Sequence, residues 1–231
     1  MTTARRKAAA RAPAPVTARA KSTEKDPDPI IFSGPPGGLR ADVTVANTGD
    51  RRLAVRRLTV CRDGSADVDI QVAAIVAPGT TASMPVTVQM EPGTSPGDYP
   101  AEVAVAGVRR AVLLRVDTQL SMHITPRRLL AEPGTHDVSF VAVNEGNVDV
   151  PLASVTKARS SDGGKEPGPD VTLNLRAPVV LAAASTLTIH GRLSVPPSLE
   201  PTRRHTANLP VGLADLEVII LARTAEKEAK S

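Results

Sequence analysis

Aromatic rings are nearly missing from this chain: 231 residues contain no Trp, one Tyr (Tyr99) and two Phe (Phe32 and Phe140). Sugar sites commonly stack rings on sugar faces, and single-stranded nucleic-acid sites stack rings on bases. Neither platform can be assembled from three rings, two of them at core-like positions. Cysteine is also scarce. Cys61 stands alone, so no intrachain disulfide can form, which fits a reducing compartment. No apolar run approaches the roughly 18 residues of a helical membrane span. The N-terminus lacks the apolar stretch of a secretory signal. The expected location is cytoplasmic, with leaderless export left open.

The motifs of common catalysts are missing as well. The four histidines are His123, His136, His190 and His205. None falls in an H-E-x-x-H pattern, and there is no C-x-x-C, G-x-S-x-G or G-x-x-x-x-G-K-[ST] stretch. Cys61 ends an alternating segment and reads as a small buried hydrophobe rather than a nucleophile. In "DGSADVD", Asp63, Asp67 and Asp69 could begin a hard-cation site, but calcium needs six or more oxygens and the spacing differs from a D-x-D-x-D-G loop. The "DG" pair is in any case a turn signal. The expectation is no enzyme, no cofactor and no metal.

What the chain does have is aliphatic. Apolar residues make up 41%, and with so few rings the cores must be Val, Leu, Ile and Ala. Val and Ile suit pleated strands. The 16 Gly and 21 Pro are scattered as punctuation, which favours many short strands. The Ala-, Arg- and Val-heavy composition suggests a GC-rich bacterial genome.

Charge is unevenly placed. Residues 1–29 hold seven of the 28 basic residues and three of the 24 acidic ones, so the remainder is balanced at 21 of each. This Ala/Pro/Arg-rich tail has almost no large apolar residue and cannot offset its own ordering entropy, so it reads as disordered. Arg5, Arg6, Lys7, Arg11, Arg19 and Lys21 could contact phosphate or an acidic partner by charge alone, weakly and with salt sensitivity. A solubilising tail is the plainer reading.

From Ile30 the text alternates with period two. Leu39, Ala41, Val43 and Val45 interleave with Arg40, Asp42, Thr44 and Ala46, as in a half-buried strand. "NTGD" follows, a turn in which Asn and Gly tolerate positive φ and the Asn side chain can bond the backbone ahead. Seven strands are expected by Val116: Ile30–Ser33, Leu39–Val45, Leu53–Cys61, Val68–Val72, Ala82–Met90, Tyr99–Val105 and Val108–Val116. Seven more are expected afterwards: Leu120–Thr125, His136–Val143, Val148–Lys157, Val171–Leu175, Ser185–Val195, His205–Val211 and Ala214–Ala222. Residues 158–170, polar and rich in breakers, read as a flexible loop.

The two sets align. At an offset of 97, Pro36 and Gly37 fall on Pro133 and Gly134, Asn47 on Asn144, and Gly49 on Gly146. Near the ends the offset is 106, and Tyr99 falls on His205. The nine added residues match the loop. The chain therefore reads as a duplicated β unit, each copy with the strand count and turn spacing of an antiparallel sandwich.

"PPGGLRADVTVANTGD" with "SPGDYPAEVAVAG", and more loosely "EPGTHDVSFVAVNEGN" with "TRRHTANLPVG", resemble bacterial immunoglobulin-like modules of the cell-adhesion-related and ASPM-SPD2-Hydin types. The resemblance implies fold and says little of function, since such sandwiches serve unrelated systems. It implies that Tyr99 is a tyrosine-corner residue whose hydroxyl bonds backbone near the Met90–Ser95 turn. His205 stands in the matching place of the second copy and could bond similarly. Asn47, Gly49, Asn144 and Gly146 are the expected structural turn residues.

The sequence thus leads to an all-β protein: two tandem seven-stranded immunoglobulin-like antiparallel β-sandwiches behind a disordered tail. The expected division is 1–29 tail, 30–117 first sandwich, 118–222 second sandwich and 223–231 charged tail. The short link "VDTQL" is expected to allow little independent motion. The expected role is a non-enzymatic interaction or structural module, an adaptor or accessory subunit with protein partners. The alternative is nucleic-acid association through the basic tail.

Overall fold

Alternating segments become strands because a period of two puts one face of a pleated chain on the core and the other in water. A computed structural model describes residues 29–64, 66–164, 166–176, 179–199 and 203–221. Both tails, with Arg5, Arg6, Lys7, Arg11, Arg19 and Lys21, lie outside the described residues. Among the described residues the chain is all-β, with 17 strands and no helix.

The first seven strands are β1 (Ile30–Gly34), β2 (Leu39–Ala46), β3 (Leu53–Cys61), β4 (Val68–Val76), β5 (Thr81–Val88), β6 (Gly97–Val105) and β7 (Val108–Val116). They form one hydrogen-bonded series in the order β4-β3-β6-β7-β1-β2-β5. β1 is the hinge of this series. It runs parallel to β7, with Phe32 opposite Leu114, and turns to pair antiparallel with β2 at Ser33–Arg40. Phe32, Leu39, Val43, Leu58 and Val103 are fully buried at its core.

Ten strands follow, where seven were expected. They are β8 (Met122–Thr125), β9 (Arg128–Ala131), β10 (Gly134–Asn144), β11 (Val150–Leu152), β12 (Val155–Arg159), β13 (Asp170–Leu175), β14 (Val179–Leu181), β15 (Ser185–Val195), β16 (His205–Val211) and β17 (Ala214–Ile220). The surplus comes from interrupted strands. The counterpart of β1 is broken at Pro126, which has no N–H to give a ladder. Its first part, β8, pairs with β10 and its second, β9, runs parallel to β17. The counterpart of β3 is split into β11 and β12, and that of β4 into β13 and β14, which pair with each other. The parallel pairs β1–β7 and β9–β17 also correct the expectation of purely antiparallel sheets.

The loop of residues 158–170 is shorter than expected. Ala158 pairs with Val171 and Arg159 with Asp170, so strand extends to the loop's base. Ser160 then pins the stem, its N–H and its hydroxyl both donating to the Pro169 carbonyl at 3.0 and 2.9 Å.

A second apolar cluster, with Phe140, Leu173, Leu193, Leu209 and Leu216, is separate from the first. The two halves share most of their strand pairings and differ at two seams. Among the described residues the β3–β6 ladder of the first half is reduced in the second to a single bridge between Ser161 and Thr206, and the β4–β5 seam is treated differently. In the second half β13 pairs with β15, Leu173 facing Leu193 and Leu175 facing Gly191. In the first half no hydrogen-bonded pairing joins β4 to β5 among the described residues. Gly191 lies where β15 and β13 meet. A Cβ there would lie 2.9 Å from the Asn174 carbonyl oxygen and 3.1 Å from a Leu173 methyl, so the close approach of the two strands requires glycine. The position opposite β10 at Val138 is Gly191, and the matching position opposite β2 at Ala41 is Val86.

This predicts that Gly191→Ala destabilises the protein by about 1–3 kcal/mol, the range for overpacking a filled site. Urea unfolding measures the loss, and amide exchange at Leu173–Leu175 should quicken more than elsewhere. An unchanged midpoint would refute the account of the closed seam.

Candidate interaction surface

Each half carries a buried asparagine at the turn after its second strand. Asn47 is 6% exposed and Asn144 1% exposed. A buried amide needs partners for both its ends. The Asn47 Nδ2 donates to the carbonyls of Arg51 (2.7 Å) and Val76 (2.9 Å), and its Oδ1 accepts the Gly49 N–H at 3.1 Å. The Asn144 Nδ2 donates to the carbonyls of Val148, Leu181 and Ala182 at 2.8, 3.2 and 3.0 Å, and its Oδ1 accepts the Gly146 N–H at 2.9 Å. One amide thus fastens the turn to itself and to the end of a strand about 30 residues on.

The glycines serve a different purpose from the one expected. Neither Gly49 nor Gly146 is among the residues with positive φ. At Gly146 the requirement is space: a Cβ would sit 2.3 Å from the Gln119 carbonyl oxygen. The chain entering the second half lies against this turn. Ser121 accepts N–H bonds from Glu145 (2.9 Å) and Gly146 (3.2 Å), and Gln119 accepts one from Asn147 at 3.1 Å. Asn147, 1% exposed, completes the contact. Its Oδ1 accepts the Gln119 N–H at 2.7 Å, and its Nδ2 donates to the carbonyls of Thr94 (3.1 Å) and Asp117 (2.9 Å). Sequence reasoning missed Asn147, because its partners lie 28 to 53 positions away and no local pattern marks them.

Tyr99 is half-buried against the first core, and its hydroxyl donates to the Ser95 carbonyl at 2.8 Å. His205 is buried at 7% exposure. His136 Nε2 lies 2.7 Å from the Glu132 carbonyl oxygen, and His123 Nδ1 lies 3.8 Å from Glu145.

Cys61, Asp63 and Asp67 come together, lining an open depression with Glu102 and Arg109 and no histidine. Asp69 is drawn elsewhere, accepting the Thr59 hydroxyl at 2.7 Å and pairing with Arg57 at 3.1 Å. Among the described residues no group of three or more His, Cys, Asp or Glu side chains is placed to hold a metal ion. Partial burial, and after it a hydrogen bond and negative charge from Asp67, push the Cys61 thiol above its ordinary range. That keeps it protonated and poorly nucleophilic at neutral pH. No helix among the described residues is long and apolar enough to cross a membrane.

No family model matches the chain, and no curated protein matches it. Solved structures similar to it include a protein of unknown function from Porphyromonas gingivalis W83, at 15% identity and a TM-score of 0.30, covering 84% of this chain and 96% of that one. The Pseudomonas aeruginosa CupB2 chaperone is 13% identical with a TM-score of 0.28, covering 80% and 91%. Domains 4 and 5 of the S-layer protein SbsC are 12% identical with a TM-score of 0.30, covering 73% and 98%. Likeness this remote transfers no residue role and no activity.

Two outcomes are expected of these sites. Replacing Asn144 with Ala strands three carbonyls and an N–H and should cost about 1–3 kcal/mol; Asn47→Ala should cost less, having one bond fewer to lose, as denaturant midpoints would show. The Cys61 alkylation rate should rise with pH to a midpoint above that of the same residue in the urea-unfolded chain. A midpoint at or below the unfolded one would contradict the assigned environment.

Proposed function

We propose that this chain is a non-enzymatic protein-interaction module, an adaptor or accessory subunit of a larger assembly. We read it as two tandem immunoglobulin-like sandwiches, residues 30–117 and 118–222. Two separate apolar cores, with no strand pairing between residues 30–116 and 122–220 among the described residues, support the division. The observation that carries the functional reading is the destination of the polar side chains. The buried amides Asn47, Asn144 and Asn147 are spent on backbone carbonyls and N–H groups. Partial burial, and after it Asp67, raise the Cys61 thiol above its ordinary range. The depression lined by Cys61, Asp63, Asp67, Glu102 and Arg109 has no imidazole to take the thiol's proton. What remains to the surface is backbone edge and exposed aliphatic side chains, the means by which one protein holds another.

The experiment is a native pull-down with the full chain and with residues 30–231, at low and high salt, read by mass spectrometry. The expected result is one protein retained by the shorter chain at high salt. Capture that disappears with residues 1–29, or with salt, would replace this reading with a charge-driven tether to nucleic acid through Arg5, Arg6, Lys7, Arg11, Arg19 and Lys21. Reproducible turnover lost on changing one side chain would overturn it outright.

A further inference from the structure

The edge of β4 is the part of the surface that the fold leaves unfinished. Its counterpart β13 is paired with β15, and no strand among the described residues is hydrogen-bonded to the outer edge of β4. The usual protections of an exposed edge are Lys, Pro, unpaired charge and bulges. β4 has one of these, a register shift opposite Val55–Arg57, and its stretch Val68–Gln71 pairs regularly with β3. "VDIQVAAIV" has one charge, Asp69, and Arg57 and Thr59 already hold it. Ile75 is 74% exposed and Val68 43%. Ile70, Val72 and Ala74 face the core yet are only partly buried, because no strand closes over them. Where the seam opens, Val68 and Val88 flank a cleft of about 420 Å³ floored by the buried Val60 and Leu114. The opposite rim is poorer in donors. Pro85 lies within β5, and a proline keeps its place in a ladder only with its nitrogen turned to the free side.

The chain itself shows what suits such an edge. In the second half the occupant is the segment Gly191–Ser194, with Leu193 directed inward and Arg192 outward. We propose that the β4 edge is a strand-addition site for a partner protein. The partner would supply an extended segment of about five residues or more, apolar at alternate positions and low in charge, pairing backbone to backbone with Val68–Val76. Its inward side chains would cover Ile70, Val72 and Ala74. The proposal rests on the reading of the chain as an interaction module and names the place where it acts.

The test pans the full-length chain against a phage-displayed library of random dodecapeptides. Enriched peptides should alternate apolar and other residues. Their binding should slow amide exchange within Val68–Val76 by about tenfold or more. An edge strand uses only every second amide of its guest, so N-methylation of one alternate set should weaken binding by about tenfold while the other set leaves it nearly unchanged. The proposal is overturned by an absence of enrichment, by protection on another strand, or by tolerance of both N-methylated series. Self-association that protects the same amides without peptide would make a second copy the occupant, and that too overturns it. A protein captured by residues 30–231 at high salt that leaves these amides unprotected would remove the β4 site while the adaptor reading stands.

Discussion

A primary amide held in an apolar turn is the constraint on which each half depends. An amide placed away from water must find acceptors for two hydrogens and a donor for its oxygen, or the fold is penalised. Asn47 and Asn144 find theirs in the backbone of the turn and in the end of a distant strand. That fixes where the second strand stops and where the next two strands lie relative to it. The register of the surrounding ladders follows, and with it which aliphatic side chains face inward. Cores of Val, Leu and Ile are forgiving of small changes in shape. With one Phe in each, they contain little else that would choose between neighbouring registers, and a slip of one residue would turn every side chain over.

Most strands of the first half were legible because they are half-buried and alternate: β3 and β7 have the expected bounds, while β4 runs on from the expected Val72 to Val76. The repeat was legible too, since Asn47, Gly49, Asn144 and Gly146 stand at equal spacing. Short strands were not. β9 and β14 have four and three residues, too few for a period to show, and Pro126 hid the continuation of β8 into β9. The crowding at Gly146 was not legible, because a glycine required for space looks the same in a sequence as one required for φ.

The interaction surface was the least legible part. At the closed seam stands Gly191, and the matching position beside the open seam is Val86. Neither residue is unusual in its own segment. Only the strand pairings that the halves share make them comparable, and only then does the bare edge of β4 become visible. Set side by side, the two halves show a seam that is paired in one and open in the other.

Asn147 has a consequence for how such a chain can be rearranged. Its amide draws on Thr94, Asp117 and Gln119 together. A recombination joint placed between the halves would sever a buried group from an acceptor that lies well inside the preceding half. A new neighbour for the second half would have to offer an acceptor in place of the Thr94 carbonyl, or leave one hydrogen of a buried amide unpaired.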